Sequence, residues 1–157
     1  MEKLMKKTQL TSDMQDGDAL TFGYVNEDGA PAIREGVDDH PTIVEMSTPY
    51  MTIMLRNAAT HVFHFDTTYK IDQAGYPVLV IGVLDQTRSF NAVATLMTSQ
   101  QTGGLINTAL QTLFDVFKMI AGDYPEIRYC MADADKALDN AVMDITSSKR
   151  SNDALTY

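Results

Sequence analysis

The spacing of apolar positions changes several times along the chain, and each change marks an element. From His61 to Lys70 (HVFHFDTTYK), aromatic and β-branched residues alternate with polar ones, the two-residue period of a strand. Asp72-Gln73-Ala74-Gly75 has turn composition, and Tyr76 to Leu84 is apolar enough for a buried strand. Asp85-Gln86-Thr87 turns again, and Arg88 to Met97 gives a third strand. Connections this short join antiparallel neighbours, so the three strands form a meander. The period then lengthens. After Thr102-Gly103-Gly104, the residues Leu105, Ile106, Ala109, Leu110, Leu113, Phe114, Phe117 and Ile120 make one stripe of a long helix, which Gly122 and Pro125 stop. Ile127 to Met131 reads as a short strand. From Ala134 a second helix carries Ala137, Leu138, Ala141, Val142 and Ile145 on one face.

Ahead of the meander the pattern is less regular. Residues 1 to 18 are polar and predict loose packing. Leu20 to Val25 and Ala30 to Ile33 flank Asn26-Glu27-Asp28-Gly29, whose Asp-Gly suits a hairpin turn. A polar loop, Glu35 to Pro41, follows. Thr48 can cap a helix with Pro49 in its first turn, and Tyr50, Met51, Met54, Leu55 and Ala58 then recur at helical spacing towards Ala59. Three regions result: an acidic N-terminal region with a candidate hairpin over 1–40, an α/β domain over 41–146, and a polar tail over 147–157. Three antiparallel strands, a helix, a fourth strand and a helix form the front half of a ribonuclease-H-like α/β core. In that arrangement the fourth strand pairs parallel to the first through the crossover helix.

Composition sharpens this picture. A chain of 157 residues that is 45% hydrophobic suits one ordinary domain and excludes disorder over its whole length. The 21 acids against 12 bases exclude a polybasic DNA-coating protein, but not a nucleic-acid enzyme whose acids hold metal ions. Nine of the acids fall in the first 40 residues, so the acidity is concentrated at the front. The single cysteine, Cys130, excludes an internal disulfide framework and a four-cysteine zinc site, and fits a reducing compartment. The longest apolar run, Val78 to Leu84, is too short for a bilayer, and MEKLMKKTQL has no apolar signal-peptide segment. The expectation is a soluble, intracellular chain without membrane partners. Methionines such as Met51 and Met54 read as core filler.

Two acids stand out. Asp66 lies towards the middle or end of the first meander strand and Asp133 at the end of the fourth strand. The proposed topology lays those strand ends side by side, and adjacent carboxylates repel unless a cation compensates. Magnesium or manganese, which prefer oxygen ligands, would supply that charge and could activate a nucleophile at a phosphodiester. Plainer roles stand beside this one. Asp133 can cap the helix that follows, and Asp66 can be a strand-end acid facing water, although burying it among Phe63, His64 and Phe65 without a partner would be costly. His64 shares a strand face with Asp66, so a mixed His/Asp site is conceivable, against an ordinary strand histidine. Asp135 is a rival to Asp133 but suits a helix N-terminus; Asp139 and Asp144 suit a solvated helix face, and Asp85 suits its turn.

The segment Phe63 to Thr102, FHFDTTYKIDQAGYPVLVIGVLDQTRSFNAVATLMTSQQT, resembles the first part of the Mutator-like element (MULE) transposase domain. Met131 to Val142, MADADKALDNAV, resembles its second acidic motif. Asp66-Thr67-Thr68-Tyr69-Lys70 matches the run that opens that core, and Asp133 matches the aspartate before a Lys-Ala-Leu helix start. The resemblance implies a DDE-type transposase that cuts and joins DNA in the nucleus, with Asp66 and Asp133 as catalytic ligands of Mg2+ or Mn2+. It also implies a third acid, usually glutamate, and a Cys/His pair, neither of which follows Asp133 here. The expectation is therefore the N-terminal part of such a domain, an incomplete core, truncated or degenerate, with enzymatic activity left open. The alternative is a non-catalytic binding or regulatory module derived from a transposase, paired with a second copy or a full-length transposase.

Overall fold

The computed structural model describes residues 8–27, 30–32, 41–68, 76–100 and 102–132. In chain order these form β1 (Leu20–Phe22), β2 (Val25–Glu27), β3 (Ala30–Ala32), β4 (Ile43–Ser47), α1 (Pro49–Ile53), a 3-10 segment (Met54–Ala59), β5 (Val62–Thr68), β6 (Val78–Leu84), β7 (Phe90–Thr98), α2 (Gly103–Ala121) and β8 (Tyr129–Ala132). Six strands make one mixed sheet in the order β1-β4-β7-β6-β5-β8, and β2 and β3 pair separately. The protein is thus an α/β structure. The expected meander is present as β5-β6-β7, antiparallel throughout, and β8 pairs parallel to β5 after the crossover through α2.

Local chemistry explains these elements. In the β6–β7 turn, Asp85 Oδ1 accepts hydrogen bonds from the Thr87 hydroxyl at 2.7 Å, the Thr87 N–H at 2.8 Å and the Ser89 N–H at 2.9 Å. The Thr87 hydroxyl, followed by the Ser89 N–H, holds the Asp85 carboxyl below its ordinary range. Thr102 caps α2 by accepting from the Leu105 N–H, and Gly122, in the left-handed region at φ 94°, ends it. The buried stripe of α2, including Ile106, Leu110, Leu113, Phe114 and Phe117, joins Phe63, Phe65, Leu79, Ile81 and Leu96 in one core. The odd-numbered residues Phe63 and Phe65 therefore point to the helix side, and alternation sends His64 and Asp66 to the opposite face.

The N-terminal strands depart from the sequence expectation. Leu20 to Val25 does not run as one strand against Ala30 to Ile33. Gly23 at φ 77° breaks it after Phe22, so Leu20–Phe22 pairs with β4 in the main sheet. Val25–Glu27 then pairs with Ala30–Ala32, around Asp28-Gly29, which lie outside the described residues. The strand β4 was not anticipated, because Glu45 interrupts its apolar run. It bonds β1 on one side and β7 on the other, so the sheet spans the expected boundary at residue 40. The helix from Pro49 is α-helical only to Ile53 and continues to Ala59 as 3-10 turns. Ser47 pins this corner: its Oγ lies 2.9 Å from Thr52 Oγ1 and donates to the Val93 carbonyl at 2.6 Å. Val93 is the extra residue of a β-bulge, between the pairs Gly82↔Ala92 and Ile81↔Ala94.

Gly82 makes a close approach possible. A Cβ there would lie 2.3 Å from Phe90 Cζ and 2.7 Å from the Asn91 carbonyl oxygen. The ring of Phe90 reaches across Gly82 to His64, with centroids 5.8 Å apart and nearly perpendicular planes. Gly82→Ala is expected to force the β6–β7 backbone apart and cost about 1–3 kcal/mol, measured as a lower urea midpoint. An unchanged midpoint would show that the two strands can separate freely at this point.

The helix from Ala134, Asp135, Asp139, Asp144, the polar tail, the turn Asp72 to Gly75 and residues 1–7 all lie outside the described residues. Among the described residues, no helix is long and apolar enough to cross a membrane.

Candidate functional site

The sheet places Asp66 on β5 one residue past its last described pair with β8, and β5 continues to Thr68. β5 and β8 pair in the register Val62↔Tyr129, Phe63↔Cys130, His64↔Met131 and Phe65↔Ala132. Asp66 is the next residue on β5. Its other neighbour across the sheet is Val80 of β6. The Asp66 side chain is exposed, on the face opposite α2, and makes no hydrogen bond or ion pair among the described residues. Beneath it Phe63 and Phe65 are fully buried, with ring centroids 5.7 Å apart, and Phe63 meets Phe114 of α2 at 6.2 Å. These rings fix the part of β5 that carries the acid.

Asp133 is the residue after Ala132 and lies outside the described residues. His64 shares the Asp66 face but is partly covered; its Nδ1 is buried without a hydrogen-bond partner and its ring is packed on Phe90. That position suits an aromatic packing role. Among the described residues, no three His, Cys, Asp or Glu side chains cluster as a metal site would require. Cys130 is an exposed thiol outside any disulfide. His61 is engaged at the start of β5, with Nδ1 2.8 Å from Thr60 Oγ1 and 3.2 Å from the Asn57 carbonyl oxygen.

The MULE transposase domain model matches residues 62–151, more than half of the chain. The chain belongs to the MULE transposase domain family. The match begins on the first residue of β5 and includes both Asp66 and Asp133, whereas β1 to β4 precede it. No curated protein and no solved structure gives a significant match.

One ionisable residue escaped the sequence reading. Glu45, in the middle of β4, is completely buried, and neither carboxyl oxygen has a hydrogen-bond partner among the described residues. Burial alone pushes its carboxyl well above the ordinary carboxylate range. The signal was the isolated acid in Ile43-Val44-Glu45-Met46-Ser47, but it reads as a buried residue only once the strand is recognised.

Proposed function

We propose that this MULE domain uses Asp66 and Asp133 as a carboxylate pair in a metal-dependent centre that cuts and joins DNA, on a ribonuclease-H-like core. The observation that carries this reading is the parallel pairing of β5 with β8, in register up to Phe65↔Ala132. Asp66 and Asp133 each come one residue later in the chain. Successive Cα atoms lie about 3.8 Å apart across a trans peptide, so Asp133 is tethered within that distance of the Ala132 Cα. The two acids thus directly follow, in the chain, a pair of residues matched across adjacent strands.

Such a pair suits a hard divalent cation. Two nearby carboxylates repel, and Mg2+ or Mn2+ offsets that repulsion with oxygen-only coordination. Asp66, exposed and without a partner among the described residues, fits this use better than a structural role. Asp66 and Asp133 would hold the ions, which when bound supply nucleophile activation and leaving-oxygen stabilisation at a phosphodiester. The chain's own contribution is placement: Phe63 and Phe65 lock β5 into the core, so the carboxylate approaches a ligand without reorganisation. The net charge of −9 repels a polyanion, so cation binding at the acids also reduces the electrostatic cost of bringing DNA to this face. Retention of the family role would put the reaction in the nucleus.

Manganese titration of the folded chain, followed by the loss of its free-ion magnetic resonance signal, tests this reading. Wild type is expected to bind Mn2+, and Asp66→Asn and Asp133→Asn are each expected to weaken binding by about tenfold or more, one lost charge-assisted contact. Both variants should keep the wild-type circular dichroism. Equal affinity in wild type and Asp66→Asn would overturn the assignment.

A further inference from the structure

We propose that Glu45 is a protonation-dependent latch that holds the edge strand β1 on the sheet. Glu45 sits between two strands, opposite Phe22 of β1 and Leu96 of β7. Its side chain has no exposure, and among the described residues both carboxyl oxygens lack hydrogen-bond partners. The turn leaving β1 closes directly over it. A Cβ on Gly23 would lie 2.7 Å from Glu45 Oε1, and Gly23 is in the left-handed region at φ 77°. Glycine therefore meets two demands at once: it permits the backbone turn and leaves room for the carboxyl.

Nothing described around Glu45 compensates a negative charge. β1 and β7 carry no ionisable residue. On the helix side, Tyr50 of α1, Arg56 of the 3-10 segment, and Asp115 and Lys118 of α2 are all exposed; Arg56 donates to the Ala121 carbonyl, and Asp115 accepts from Tyr124. Ahead of β1, Asp16 and Asp18 are exposed, and Tyr24 follows Gly23. With its proton, Glu45 is a neutral group in an apolar site. Without it, the carboxylate needs water. β1 offers the easiest entry, because it is three residues long and pairs in the sheet only with β4, whereas β4 is held from its other side by β7. Loss of the proton therefore drives β1 and the Gly23 turn off the carboxyl, and proton uptake closes them again.

Hydrogen exchange on the full chain, resolved by residue, tests the latch. The Thr21 N–H donates to the Thr8 carbonyl, so the alternating pattern turns the Leu20 and Phe22 N–H groups to β4. After correction for intrinsic exchange, protection at Leu20 and Phe22 is expected to fall about tenfold per pH unit above the ordinary glutamate range, the slope of one coupled proton. Ile81 and Leu96, in the centre of the sheet, should remain better protected throughout. In Glu45→Met, and independently in Glu45→Gln, the fall at β1 should disappear. The same fall in both variants would overturn the latch. So would protection at Ile81 and Leu96 no higher than at Leu20 and Phe22, since the whole domain, and not β1, would then be opening.

Discussion

Phe65→Ala is expected to destabilise the domain by about 3–5 kcal/mol, the range for removing a fully buried aromatic ring. Phe65 has no solvent exposure and packs against Phe63, which in turn meets Phe114 of α2. The lost ring leaves a cavity that the paired strands on both sides cannot close, because β5 is bonded to β6 and to β8. The loss is a large share of the 5–15 kcal/mol that a domain of ordinary stability has. Guanidinium denaturation should show a much lower midpoint with an unchanged slope, whereas Phe65→Leu, which keeps most of the volume, should lose only about half as much. Asp66→Asn, one residue along but exposed, should leave the midpoint within about 0.5 kcal/mol of wild type. A small loss for Phe65→Ala would mean that β5 is not anchored as the core contacts indicate. The Asp66 carboxylate would then lack the rigid support that the proposed metal binding requires.

This contrast between neighbouring residues follows from the two-residue period that made β5 legible. In Phe63-His64-Phe65-Asp66, alternation alone assigns the two rings to one face and the histidine and acid to the other, and the structure has that arrangement. The crossover to β8 was legible for a similar reason: an amphipathic helix between two strands demands a parallel return. Asp66 could thus be singled out as an exposed strand acid close to the fourth strand. The N-terminal half was less legible because its determinants are not periodic. Gly23 divides one apolar run between two sheets through a single backbone angle. The strand β4 carries a buried carboxyl at its centre, which a pattern reading treats as a solvent position. His64 has a similar ambiguity. Its contact with Phe90 depends on the missing side chain at Gly82, a juxtaposition across two strands that sequence spacing does not reveal.

Glu45→Met is expected to make the domain more stable than wild type at neutral pH, and the gain should shrink in acid to the part that does not depend on ionisation. The sign follows from the proton balance. Burial raises the folded-state carboxyl well above its ordinary value of 4.5. Below that ordinary value, both folded and unfolded chains carry the proton, and Glu45 contributes no pH dependence. As the pH rises, the unfolded chain releases its proton while the folded chain retains it, so wild-type stability falls by about 1.4 kcal/mol per pH unit from this group. The fall ends once the pH passes the raised folded value. Methionine has nearly the same shape, no proton to release and no polar atoms to leave unpaired. It therefore also avoids the cost of about 1–3 kcal/mol for a buried group without hydrogen bonds. Glu45→Gln separates the two contributions, since it abolishes the titration but keeps a buried polar group. Urea midpoints across the acid-to-neutral range should give a sloping difference between wild type and either variant, with Glu45→Gln offset below Glu45→Met at every pH. Because other acids titrate equally in all three proteins, only the differences report on Glu45. Parallel curves for wild type and Glu45→Gln would show that the carboxyl finds water or a cation in the folded state, and that its burial carries no ionisation penalty.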